Sequence, residues 1–295
     1  MSAGLLERLA RGDVLLADGA MGSLLMAQGL PAGDPPELWT LNRGDVLEEI
    51  AGLYLEAGAE IIQTNSFGAS PLRLAEFGLE NRCEEVNRRA AETVHRAIGA
   101  KVFISGTVGP CGQALKPLGN VAIASVSDGF RRQIAALAEG GADLISVETM
   151  SDPDEAVLAI EAAKSSAPGL PILATMTFER TPRGFFTVLG HGLAEVSKAL
   201  SGAGADAIGS NCGNGAENML ALVKDFRRTT KLALVFQANA GFPKIEAGRA
   251  IYGETPDFWA KKAQAMIEAG AQIVGGCCGT TPEHIKTLRR RLDGS

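Results

Sequence analysis

The sequence is poor in the features that mark several large protein classes. No apolar run in its 295 residues approaches the roughly 20 needed to span a bilayer, so no membrane is expected. The opening stretch MSAGLLERLARGDVLLADGA places Glu7 and Asp13 among its apolar residues. It lacks the continuous apolar segment of a signal peptide. There is no basic excess: the net charge is −6, which leaves no electrostatic footprint for nucleic acid. Cysteine is sparse, and its count of five is odd. Without an export signal, that argues against a disulfide framework and for a reducing, cytoplasmic setting. No GxGxxG follows the first apolar run, and no CxxC occurs, so neither a dinucleotide site nor a thioredoxin-like pair is supported. No Ser/Pro-rich linker, composition shift or low-complexity tract divides the chain, and 46% hydrophobic content suffices for one core. A single domain over residues 1–295 is expected.

What is present is a recurring phrase: LEAGAEIIQT (55–64), AEGGADLISVE (138–148), SGAGADAIGSN (201–211) and IEAGAQIVGGC (267–277). Each has a helix-like lead, a break at Gly-Ala, one polar residue and a short apolar run. Glycine just past a helical turn is a stop signal, and a short apolar run suits a strand covered on both faces. Further apolar runs lie between these units: VLLAD (14–18), KVFISGT (101–107), PILATMTF (171–178) and LALVFQAN (232–239). Amphipathic or capped segments alternate with them. Ser151 or Asp152, and Thr281, are suitable N-caps with proline just inside. Eight strands alternating with helices in a chain of this length predict a (β/α)8 TIM barrel. A doubly wound open sheet is the alternative.

In such a barrel the βα loops share one face, so chemistry collects at the C-terminal ends of the strands. Those ends read Asp18-Gly19-Ala20, Thr64-Asn65, Gly106-Thr107, Glu148-Thr149, Asn211-Cys212, Asn239 and Cys277-Cys278. None carries a lysine, which disfavours a Schiff-base aldolase or lyase.

The adjacent Cys277 and Cys278 need an explanation. A vicinal pair is a poor disulfide, since its Cα atoms lie about 3.8 Å apart where a relaxed bridge needs roughly 5.5–6 Å. Chance, a redox pair, or a metal with a third ligand elsewhere remain. Cys212 falls on the same rim, and the long gap to the pair suits a site assembled from two strands rather than a zinc finger. Alternate residues of a strand face opposite ways, so the pair shares a metal only if the strand has ended there. Gly275, Gly276 and Gly279 permit such a break. Three soft ligands favour zinc and leave one position open, the mark of a catalytic site. Three thiolates on a divalent cation leave a net negative charge, which makes a weak activator of water but still holds an incoming thiol as thiolate. Alkyl transfer to sulfur is the chemistry indicated. Buried carboxylates at Asp18 and Glu148 need a cation, and an amino-acid ammonium supplies one. Backbone N–H groups of DGAMG or TNSFG could take the substrate carboxylate.

DGAMGSLL (18–25), QTNSFGAS (63–70), ISVET (145–149), GSNCGNG (209–215) and GGCCGTTPEHI (275–285) together resemble the zinc-dependent homocysteine S-methyltransferase family, over nearly the whole chain. That family includes the homocysteine-binding module of cobalamin-dependent methionine synthase. The resemblance implies that Cys212, Cys277 and Cys278 bind Zn2+, with Asn239 as fourth ligand before substrate arrives. It implies that Asp18 and Glu148 bind the homocysteine ammonium, with Thr64 and the Gly19-Ala20 backbone beside the amino-acid moiety. Betaine-using members carry an aromatic cage. Here that loop reads Asn65-Ser66-Phe67-Gly68, closer to methionine synthase. The preferred donor is therefore methylcobalamin carried by a separate corrinoid protein. The alternatives are S-methylmethionine or another small onium donor, and a non-catalytic zinc- or thiol-binding module. The stretch GFFTVLGHG (184–192) receives no role.

Blander expectations apply elsewhere. Cys83 and Cys111 are expected as buried small apolar residues. His95 and His284 are expected at the surface, and His191 in a structural or solvent-facing place. Arg289, Arg290 and Arg291 are expected on a solvated helix end. Asp18 serves equally as a turn former, Glu148 as partner to an arginine at the barrel mouth, and Asn239 as a brace before Gly241.

Overall fold

The computed structural model describes residues 4–246 and 249–294; residues 1–3 of the opening stretch lie outside it. Eight parallel strands form one sheet: β1 (Leu15–Leu16), β2 (Ile61–Gln63), β3 (Phe103–Val108), β4 (Leu144–Met150), β5 (Ile172–Met176), β6 (Ala207–Gly215), β7 (Ala233–Asn239) and β8 (Ile273–Gly276). Their order runs β1-β8-β7-β6-β5-β4-β3-β2, and a parallel bridge between Ala17 and Ile61 joins the two ends. Helices lie between consecutive strands. This is the (β/α)8 barrel, not the open sheet. Two short antiparallel strand pairs, 179–181 with 184–186 and 244–246 with 249–251, follow β5 and β7. Among the described residues no helix is long and apolar enough to cross a membrane.

The repeated phrase folds the same way four times. Gly58, Gly141, Gly204 and Gly270 all take positive φ, from 91° to 105°. The alanine after each donates back five residues: Ala59 to Tyr54, Ala142 to Leu137, Ala205 to Leu200 and Ala271 to Met266. That is the Schellman ending of a helix, which only glycine enters cheaply. The polar residue that follows ties down a neighbouring chain segment. Glu60, Asp143 and Asp206 accept from the backbone N–H of Leu16, Ile104 and Ile172 at strand starts, and Gln272 donates to the Leu9 carbonyl.

Strand residues alternate between two apolar bodies. Leu16, Ile62, Ile104, Ile145, Ala174, Ile208, Leu234 and Val274 pack outward under the helices. Leu15, Ile61, Leu144, Leu173, Ala207, Val235 and Ile273 fill the N-terminal half of the lumen, closed below by Leu5 and Leu9 of the helix Leu5–Ala10. Two residues further along β2, β4, β5, β6 and β7 the lumen side chains become polar or absent: Gln63, Ser146, Thr175, Gly209 and Gln237. The floor is oily and the mouth is polar.

Asp152 caps its helix, accepting from Asp154 N, and Thr281 forms a capping box with His284. The box overturns the surface placement expected of His284. It is buried, edge-on to Trp259, with Nδ1 accepting from Thr281 N and Nε2 donating to the Glu254 carbonyl. Arg289 also departs from expectation: it is half-buried and bound to Glu60 and the Gly58 carbonyl, whereas Arg290 and Arg291 are exposed. His95 is exposed, His191 pairs with Glu195, and Cys83 and Cys111 are buried.

Candidate active site

β6 does not end at Asn211 but runs on through a distortion. Its pairing with β7 slips between Asn211 and Gly215, and Cys212 sits at φ 57°. β4 does the same, slipping against β5 between Val147 and Met150, with Thr149 at φ 58°. Among the described residues these two are the non-glycine positions in the left-handed region, each costing about 1–3 kcal/mol that the surroundings must offset. The β-branched Thr149 is the more strained. Such bulges re-aim side chains beside sites.

β8 ends at Gly276, as the vicinal pair requires. Cys277 N still bonds the Ala238 carbonyl, and the chain then turns as Thr280 N and Oγ1 both donate to the Cys277 carbonyl. A Cβ on Gly276 would lie 2.1 Å from Thr280 Oγ1, so glycine is needed for the close approach. The outcome is a cluster: Sγ of Cys212, Cys277 and Cys278 all lie within 4.8 Å of one another, and Cys212 stands 3.8 Å from Cys278. Hydrogen bonds from Cys277 and Cys278 pull the Cys212 thiol down to about 3. Contact with Cys212 in turn pushes Cys278 up to about 11 and Cys277 well above its ordinary value.

Asp18 and Glu148 are buried neighbours, 1% and 7% exposed. Burial raises Asp18 to about 7. Burial, and then the charge of Asp18, raises Glu148 to about 8. Among the described residues no cationic side chain is a cause of either shift and none forms an ion pair with Glu148, so the expected alternative of an arginine partner is not found there. Gln63 serves both instead: its N–H donates to Asp18 Oδ2 at 2.9 Å and its Nε2 to Glu148 Oε2 at 2.6 Å. Asp18 Oδ1 is buried without a partner.

A cavity of about 560 Å3 joins Glu148 to the thiols, lined by Gly19, Gln63, Glu148, Cys212, Cys277 and Cys278 among others, and Asp18 meets it through Gln63. Thr64 also borders it, but its hydroxyl accepts from Thr107 N and bonds Ser66. Ala20 N is likewise committed, to Thr280 Oγ1. Gly68 N donates to the buried Glu37 carboxylate at 2.6 Å, and the aromatic rings on the wall are Phe67 and Phe77.

The family model for homocysteine S-methyltransferase matches residues 15–292. The chain belongs to the homocysteine S-methyltransferase family. It is 33% identical to methionine synthase of Mycobacterium tuberculosis over 292 residues, 93% of this chain and 24% of the relative. The Mycobacterium leprae methionine synthase is 32% identical over 96% of this chain and 24% of its own length. The chain thus spans about a quarter of these curated relatives. Among solved structures it resembles the metallated form of the Escherichia coli homocysteine methyltransferase MmuM, with a TM-score of 0.78, 26% identity, and coverage of 97% of this chain and 98% of that one.

For a member of this family, the donor set fits a thiophilic metal. Three thiols converge, and Asn239, 5% exposed, hydrogen-bonds Cys212 while its Oδ1 has no partner. Three participants escaped the sequence reading. Gln63 was detectable only as a polar residue two places after a lumen-facing Ile61. Asn211 stands in the sequence only as the strand-end neighbour of Cys212, yet its side chain bonds both Thr149 and Thr175. Tyr252, outside any strand end, bonds Cys278 and covers Gly279, whose added Cβ would lie 2.1 Å from the ring. Nothing in the sequence pattern marks it.

Proposed function

We propose that this homocysteine S-methyltransferase family member moves a methyl group onto the thiolate of homocysteine, giving methionine, with a methylcorrinoid on a separate protein as donor. One observation carries the reading: three convergent thiols and the buried Glu148 line one cavity, with the buried Asp18 joined to Glu148 through Gln63. Cys212, Cys277 and Cys278 would hold zinc, with Asn239 Oδ1 as the fourth donor until substrate displaces it. Zinc bound there keeps a substrate thiol ionised near neutral pH.

The chain's own residues do the rest. Asp18 and Glu148 receive the ammonium, and its charge returns both carboxyls to the ionised form that burial disfavours. Gln63 orients the two carboxylates. Gly19, Ala20 and Thr64 bound the amino-acid moiety by shape, since the Thr64 hydroxyl is already engaged. The carbon–sulfur bond forms as the methyl leaves its donor with the bonding pair staying behind. No general acid is needed for such a leaving group, which agrees with the lack of a histidine on the cavity wall. The whole barrel, residues 1–295, acts as one homocysteine-binding unit in this proposal.

Support for the corrinoid donor comes from the loop at Asn65–Gly68, which has glycine where a caging aromatic would stand and where an added Cβ would already lie 3.0 Å from Glu37 Oε1. A small onium donor is favoured by a different feature, the presence of Phe67, Phe77, Asp34 and Glu37 in the cavity wall, since rings and acids attract cations, although Arg73 in the same wall opposes it. The test offers homocysteine with free methylcobalamin, a methyl-loaded corrinoid protein, betaine and S-methylmethionine in parallel. Methionine from a cobalt donor is expected. Methionine from S-methylmethionine alone selects the onium reading, and zinc and homocysteine binding without turnover selects a non-catalytic module.

A further inference from the structure

The two strained residues of the site are not independent. Asn211, 1% exposed, precedes Cys212 on β6 and reaches across to the end of β4. Its Oδ1 accepts from Thr149 N at 2.7 Å and from Thr175 Oγ1 at 2.8 Å, and its Nδ2 donates to Thr149 Oγ1 at 2.7 Å. Thr177 Oγ1 donates to the Asn211 carbonyl at 3.2 Å. One amide side chain therefore grips both backbone and hydroxyl of the residue at φ 58°, from a position adjacent to the residue at φ 57°. Glu148 is fixed by the turn at Thr149, and the Cys212 thiol by the turn at Cys212 itself. Both slips in strand register open at this junction.

The geometry points to Asn211 as a positioning residue that fixes the span between the Glu148 carboxylate and the thiol cluster, and through that span selects the chain length of the thiol amino acid. The inference rests on the proposed binding of homocysteine by its two ends. A ligand held at ammonium and sulfur is measured by the distance between the two anchors, and cysteine is one methylene shorter. A rigid span favours the longer ligand. If Glu148 could drift, the shorter one would be accommodated as well. The amide suits the task because it offers an acceptor and a donor in one plane, which match the N–H and hydroxyl of a single threonine. Alanine removes both contacts. Without them no other hydrogen bond among the described residues holds the N–H and hydroxyl of Thr149, a β-branched residue in the left-handed region that it avoids.

The test compares wild type, Asn211→Ala, and Asn211→Ala combined with Thr149→Gly, all zinc-loaded. Crystal structures give φ at position 149, calorimetry gives affinity for homocysteine and for cysteine, and methionine formation gives kcat and KM. In Asn211→Ala, φ at Thr149 should become negative. KM for homocysteine should rise by about ten- to a hundredfold, as for misplacement of a positioned group by about 1 Å, with the homocysteine-over-cysteine preference falling in parallel. Glycine at position 149 adopts positive φ unaided, so the double variant should regain much of the preference without regaining the lost hydrogen bonds. A left-handed Thr149 persisting in Asn211→Ala overturns the proposal. So does reduced thermal stability with unchanged preference, which would mark a merely structural residue. Absence of homocysteine affinity in wild type would instead defeat the functional reading, while the change at position 149 still decides the clamp.

Discussion

The two ends of this barrel follow opposite rules. At the N-terminal end the lumen is filled by leucine, isoleucine, valine and alanine, and the charges around it are matched: Glu60 bonds both Arg8 and Arg289, and Arg8 also bonds Asp13. At the C-terminal end two carboxylates are buried without a cation, three thiols crowd together, and Asp18 Oδ1 and Asn239 Oδ1 lack partners. Backbone strain at non-glycine residues occurs there too. Unpaired buried polar groups cost roughly 1–3 kcal/mol each, so the mouth is sustained by the stability of the floor. What is unsatisfied in the free chain is what a ligand and a metal would satisfy. The lesson is that the site is marked where buried charge, clustered thiols and backbone strain coincide, since single unpartnered atoms such as Asn87 Oδ1 and Gln133 Oε1 occur elsewhere as well.

The contrast breaks most sharply at the sulfurs. Cys277→Ala should lose stoichiometric zinc and fall beyond the roughly hundredfold loss of an outer-shell change, while circular dichroism shows an intact barrel. Full activity in that variant would remove the metal from the proposal. Glu148→Gln is next. It should raise the homocysteine KM by the factor that corresponds to about 2–5 kcal/mol, the cost of removing one partner of a buried charge pair, without destabilising the fold, as steady-state kinetics and urea unfolding would show together. Leu173→Ala on the floor, where Leu173 is 3% exposed, should do the reverse. A loss of about 2–5 kcal/mol in unfolding free energy with KM unchanged is expected, and a changed KM would blur the division between the two ends.

Titration sharpens the comparison further. At the mouth, Asp18 and Glu148 are raised from 3.8 and 4.5 to about 7 and about 8. The folded chain then binds more protons than the unfolded one in this range, so their contribution is fully present below about pH 4 and is lost as pH rises toward 8. Unfolding of Glu148→Gln, measured against wild type so that the thiols cancel, should show the variant gaining on the order of 2–4 kcal/mol between about pH 5 and pH 8. At the floor the sign reverses. Burial alone would raise Glu60, but hydrogen bonds from Arg8 and Arg289 bring it below its ordinary value. Its contribution is present above the unfolded value of 4.5 and is lost as pH falls through the folded one. Glu60→Gln should cost only about 1 kcal/mol near neutrality, as part-exposed pairs do, and less in acid.

Local chemistry alone settled a good deal. The Gly-Ala breaks stop helices through a positive φ that other residues avoid, so four helix-to-strand junctions were legible in the chain, and with them the eight strands and the rim that carries Asp18, Glu148, Cys212, Cys277 and Cys278. Short-range geometry also ruled out a relaxed disulfide between the vicinal cysteines. The contacts left to the tertiary structure span long sequence separations. Gln63 meets Glu148 and Asn211 meets Thr149 through side chains 85 and 62 residues apart, and His284 is buried because Trp259 and Glu254 lie over it. The left-handed turns at Thr149 and Cys212 are the clearest case. Neither residue type favours that conformation, so no propensity announces it, and it exists only because partners brought in by the closed barrel hold it there.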